Sequence, residues 1–193
     1  MSEKIKNLEE NFHMVIYNLI YPALLGSMLY AMFPYGISIY PNDIGIPRYL
    51  FNLGIVIFYL LDYYHQFTFF SKKFPEKIRP LQLQPIDLGV SLILWFSFHV
   101  KYYCISFGLL CLLPFLFTSY PKYFELKYHG IPVIYFHIAY GVISIFLAVI
   151  SYFCIRPLSE YYPLLLISSM IILYRILMKI EKDSIPHKNI LSK

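Results

Sequence analysis

Charge is scarce in this sequence. Asp, Glu, Lys and Arg make up 14% of its 193 residues, where a soluble domain carries about 25%. A chain so poor in charge has too little polar surface to face water on all sides, and a disordered segment needs the opposite balance. Cysteine is scarce as well. Cys104, Cys111 and Cys154 stand in or beside apolar runs, with no CxxC and no Cys/His ligand spacing. Neither a disulfide framework nor a zinc site is therefore expected. The sequence has no GxSxG elbow, HExxH, Asp-rich diphosphate site or glycine-rich phosphate loop, which removes the common enzyme motifs. Repeats and low-complexity segments are missing too. A cleavable leader is not expected: Glu3, Glu9 and Glu10 precede the first apolar stretch, Asn18 and Pro22 interrupt it, and no small-residue cleavage site follows.

What is present is apolar. Hydrophobic residues make up 59% of the chain and aromatic residues 20%, and the mean hydropathy is +0.58. The expected fold class is an all-α polytopic integral membrane protein, with residues 1–193 forming a single transmembrane helical domain. A short polar cytoplasmic tail is assigned to 181–193. Apolar runs cover about 11–33, 49–70, 86–120, 131–155 and 161–180. Tyr and Phe crowd their ends, as an interfacial aromatic belt requires. Between the runs lie turn-rich or basic segments, PYGISIYPNDIGIP, SKKFPEKIRP, PKYFELKYHG and RPLSEYYP.

The 86–120 run decides between six helices and five. As one helix it would be about 50 Å long, well beyond the roughly 30 Å hydrocarbon core. Two crossings arrange the chain as three hairpins. They put Lys4, Lys6, Lys72, Lys73, Lys77, Arg79, Lys122, Lys127, Arg175, Lys179, Lys182, Lys188 and Lys193 on one side, and only Arg48, Lys101 and Arg156 on the other. One crossing abolishes that asymmetry and strands Lys101 in mid-membrane. The positive-inside rule therefore favours six spans with both termini cytoplasmic and Lys101 at an outer turn. The alternative is five spans with a kink at Pro114, since FSFHVKYYCISF has no Gly, Pro or Asn to turn on.

Ionisable groups inside a membrane are costly and mark candidate sites. With six spans, Asp62, His65, His137, Arg175 and Asn18 fall at similar depth near the cytoplasmic end. The expectation is one inner-leaflet polar cluster, a possible pore or ligand site, with Asp62 paired to Arg175. The bland alternative is an Asp62–Arg175 pair that only neutralises itself while His65 reaches the interface. No catalytic residue and no metal ligand is assigned. No cofactor is expected; the alternative is a haem between His65 and His137, although His99 nearer the other face lacks a partner histidine. Ser91, Ser168 and Ser169 are expected to serve helix packing, and the isolated glycines to allow close helix approach.

A non-enzymatic membrane protein is expected, self-associating as a channel, a pore or a membrane-perturbing effector. By architectural analogy alone, small all-helical proteins of this kind include bacterial defence effectors and channel subunits. The alternatives are an accessory subunit docking a soluble partner through its basic loops, and a small redox or lipid-modifying membrane enzyme using the inner cluster. The bilayer and further copies of the chain are the expected partners, and nucleic acid is not.

Overall fold

The computed structural model describes residues 10–32, 45–65, 84–100, 102–119, 127–150, 153 and 161–184. Among these are six helices: α1 (Glu10–Met32), α2 (Ile46–Tyr63), α3 (Gln84–His99), α4 (Tyr103–Phe117), α5 (Val133–Ile150) and α6 (Tyr162–Ser184). A small β-hairpin, β1 (Lys127–Tyr128) paired with β2 (Ile131–Pro132), precedes α5. Its turn residues His129 and Gly130 have φ of 49° and 85°, the positive values that a two-residue hairpin turn demands.

Helices α1, α5 and α6 are each long and apolar enough to cross a membrane. The expected fold class holds in that coarser form, a helical protein with membrane-spanning segments. The remaining helices are less apolar or shorter for identifiable reasons. Helix α2 holds Arg48, Asn52 and Asp62 inside it, and α3 holds Gln84 and Asp87. Helices α3 and α4 have 16 and 15 residues, about 24 and 22 Å of rise.

The 86–120 stretch is divided between α3 and α4, which pack on each other, and Pro114 lies inside α4. What stabilises the break comes from outside the turn. Arg48 Nη2 donates to Phe98 O at 3.1 Å and also to Val100 O, and Ser106 Oγ donates to Ser97 O. These are carbonyls that a helix C-terminus leaves without intrahelical donors. Lys101 itself, the basic segment at 72–79, Lys122, Arg156 and the tail beyond 184 lie outside the described residues.

Helix α2 packs against α1, α3 and α6, while α4 bridges α3 and α5, and α5 leans on α6. The core is aromatic and aliphatic, with Tyr17, Tyr21, Phe51, Ile55, Phe58, Tyr59 and Phe117 inside. Two glycines set the closest crossings. A Cβ on Gly54 would stand 2.7 Å from Ile167 Cγ1, and one on Gly141 would stand 3.0 Å from Phe115 Cζ. Gly26, Gly89 and Gly108 have no such neighbour within 4 Å, so close approach is their role at two positions and not at these three. The outer faces carry Leu19, Tyr30, Val142, Phe146 and Ile172, all well exposed. Apolar exposure on this scale suits lipid and not water.

Candidate functional site

Successive helices alternate in direction, so six helix ends meet at one end of the bundle. The first half of α1 brings Tyr17 and its midpoint Tyr21, the end of α2 brings Asp62 and His65, and the start of α3 brings Asp87. Phe117 ends α4, His137 lies in the first turns of α5, and Tyr174 and Glu181 come from the last part of α6. Asp62, His65, Asp87, His137 and Glu181 are each at most 2% exposed.

Local backbone geometry helps to aim these groups. Residues Val15–Ile20 form a π-helical turn in which the Tyr21 N–H donates to Ile16 O. The wider turn sets Tyr17 and Tyr21 over one another, with ring centroids 5.6 Å apart and nearly parallel. Helix α2 also passes into π geometry at Tyr64 and His65. Single π turns inside helices are frequent at functional sites.

Two carboxylates are held by phenols. Tyr174 Oη donates to Asp62 Oδ1 at 2.7 Å, and Tyr21 Oη reaches Asp62 Oδ2 at 3.4 Å. Tyr17 Oη donates to Asp87 Oδ2, and Tyr21 Oη to Asp87 O at 3.1 Å. Tyr59 Oη in turn donates to Tyr21 O at 2.9 Å. The third carboxylate is held differently. His65 Nε2 lies 2.9 Å from Glu181 Oε2, and His137 Nε2 lies 3.1 Å from Glu181 Oε1. Each oxygen of Glu181 thus faces its own imidazole. Phe117 packs against both His137 and Tyr174, at 5.8 and 5.6 Å between centroids. The edge of the His65 ring meets Tyr174 at 6.4 Å, which joins the two halves of the network.

Of the expected cluster, Asp62, His65 and His137 come together. Arg175 and Asn18 do not: both are exposed. The expected Asp62–Arg175 pair is therefore corrected. Tyr174 belongs to the buried stripe of α6 formed by Leu166, Ile167, Met170, Tyr174, Leu177 and Glu181, and Arg175 is turned off that stripe. Asn18 is turned outward in the same way within the π turn, while Tyr17 and Tyr21 face in.

Sequence reasoning did not assign Asp87, Glu181, Tyr17, Tyr21 or Tyr174 to the site. Glu181 was placed in the polar tail, yet helical spacing from Tyr174 and Leu177 continues the buried stripe to it. The haem alternative does not fit this geometry. His65 Nε2, one of the two atoms an iron would take, hydrogen-bonds to Glu181 Oε2, and His137 Nε2 lies 3.1 Å from the other oxygen of that carboxylate. Among the described residues, no group of His, Cys, Asp and Glu able to hold a metal ion is found.

The chemistry available is that of proton exchange. A carboxylate beside two imidazoles can take a proton from one imidazolium, leaving it neutral, and, once the carboxyl group turns, give that proton to the second, neutral imidazole. The tyrosine-held carboxyl groups of Asp62 and Asp87 lie beside it in the same low-dielectric surround. Comparison of the chain with family models, with curated proteins and with solved structures finds no match.

Proposed function

We propose that this chain is a non-enzymatic, multi-pass membrane protein of the channel or carrier type that conducts protons through its inner-leaflet carboxylate–imidazole network. In this reading the six helices make six crossings as three hairpins, both termini face the cytoplasm, and the polar end of the bundle lies at the inner leaflet. The observation that carries the reading is Glu181, buried with one histidine at each oxygen. Charged groups buried at membrane depth are expensive and are retained on ion and proton pathways. Imidazole is the side chain whose ordinary titration spans physiological pH, so a pair of them beside one carboxylate forms a relay. The large apolar crevice of about 320 Å³, lined by Phe51, Phe107, Cys111, Ile145 and Leu166, lies at the opposite end. A second copy of the chain completes the path across that apolar half, which is why self-association belongs to the proposal.

The test is proton flux into proteoliposomes, reported by a trapped pH-sensitive dye, with the native mass measured on the same preparation. Flux above that of empty vesicles, together with an oligomeric mass, supports the reading. Single His65→Gln and His137→Gln variants should each lower the flux about a hundredfold or more, the range typical of removing a proton-transfer group. Flux equal to that of empty vesicles from folded protein overturns it.

A further inference from the structure

Arg175 has a different problem from the network. It lies within the span Tyr162–Asp183 of α6, and its side chain is exposed. Among the described residues it forms no ion pair. The same outward face carries Leu165, Ile172 and Ile176, each about half exposed, so its surroundings are those of a lipid-facing surface. Lys179 and Lys182 are exposed as well. At spacings of four and seven residues they extend the Arg175 position along one helix face. Lys127 of β1 is exposed on the hairpin that packs against α6. Of the two carboxylates on the last turn, Glu181 is buried, and the exposed Asp183 forms no ion pair with Lys179.

Depth limits what can neutralise this stripe. Counting from Tyr162 at the outer interface, the Arg175 Cα is about 20 Å along the helix and the Lys179 Cα about 26 Å, against a hydrocarbon core of about 30 Å. Arg175 is therefore rooted in the inner third and has to extend toward the inner interface. The anion waiting there is a lipid phosphate, and a guanidinium presents its paired donors to phosphate in the bidentate manner.

We infer that Arg175, Lys179 and Lys182 form a docking stripe on α6 for the phosphate headgroup of an anionic phospholipid in the inner leaflet. Arg175 grips the phosphate from the hydrocarbon side, and the two lysines hold it from the aqueous side. The inference takes its leaflet from the orientation proposed above, and it stands apart from proton conduction.

The full chain, purified in neutral detergent, is titrated with mixed micelles containing phosphatidylglycerol or phosphatidylcholine, and bound lipid is counted by native mass spectrometry. A parallel arm adds inorganic phosphate. Phosphatidylglycerol should be retained in preference to phosphatidylcholine, and inorganic phosphate should not displace it. At about 1 kcal/mol per surface cation, Arg175→Gln with Lys179→Gln should weaken its retention roughly thirtyfold, whereas Arg175→Lys should keep most of it. Both positions are exposed, so the double variant should melt like the wild type in neutral micelles, which separates lost binding from lost folding. Equal retention of the two lipids, retention unaffected by the double variant, or displacement by inorganic phosphate each overturns the inference. So does a stripe protected from labelling only in a dimer, which would mean that a second copy covers it.

Discussion

Glu181 and Asp62 are both buried carboxylates, yet their partners give them different parts. Asp62 receives donors from Tyr174 and Tyr21, groups that hold a charge in place and do not exchange it near neutral pH. Its part is structural, tying α6 and α1 to α2. Tyr174→Phe should leave the carboxylate without its shortest bond and cost about 1–3 kcal/mol, the usual penalty for a buried acceptor left short of a donor. A thermal melt in detergent measures this, and an unchanged melting temperature would show that Asp62 is satisfied without Tyr174. Arg175→Gln should not move the same melt in neutral detergent, because the guanidinium makes no ion pair with Asp62. Tyr174 and Arg175 are adjacent in sequence, and the sequence draws attention to the charged one. Position on the helix decides otherwise, since one step along α6 rotates a side chain by about 100°, from the buried stripe to the outer face.

Between α3 and α4 the chain turns without glycine, proline or asparagine. That absence was the argument for one long helix, and it fails because the turn draws its stability from α2, some fifty residues earlier. Arg48 supplies charged donors to Phe98 O and Val100 O, a solution that no local pattern around Val100 reveals. Arg48→Met should uncap these carbonyls and cost about 2–3 kcal/mol, again read from the melt. Recovery of full stability in that variant would mean that the turn is fixed by other contacts. The crossing of α2 and α6 gives a second check on the packing. Gly54→Ala places a methyl against Ile167, whose branched Cβ leaves it few ways to yield, and a loss of about 1–3 kcal/mol is expected. Gly26→Ala, with open space around it, should cost nothing measurable and serves as the matched control. The apolar runs announced the helices, and the ends were legible to within a few residues at both ends of α1 and at the start of α5. Helix α2 begins earlier than the run suggests, at Ile46, because Gly45 takes φ 73° and Pro47 fits the first turn. The π turns of α1 and α2 were not legible, since a single wider turn leaves almost no trace in residue spacing.

The bundle gathers its buried carboxylates and imidazoles at one end, while buried Arg48 and an apolar crevice lie toward the other. The sequence disclosed part of that polarity through the depth of Asp62, His65 and His137. It concealed the rest: Glu181 reads as tail and Asp87 as an ordinary first-turn acid, and only the antiparallel packing of six helices makes them neighbours. The proposed orientation has a direct check in a chain whose three native cysteines are replaced by serine. Cysteines placed at Lys127 and at Lys182 should resist a membrane-impermeant reagent in intact cells, and one at Tyr102 should react. The reverse pattern would invert the protein, and reaction at all three would remove the six-crossing arrangement. Proton conduction itself stands on Glu181, and the decisive experiment is dye-reported flux through proteoliposomes bearing Glu181→Gln beside wild-type protein of equal density and equal melting temperature. The amide keeps the size of the side chain and removes its capacity to take a proton, so the flux should fall to the level of empty vesicles. Wild-type flux from a folded Glu181→Gln protein would contradict the relay.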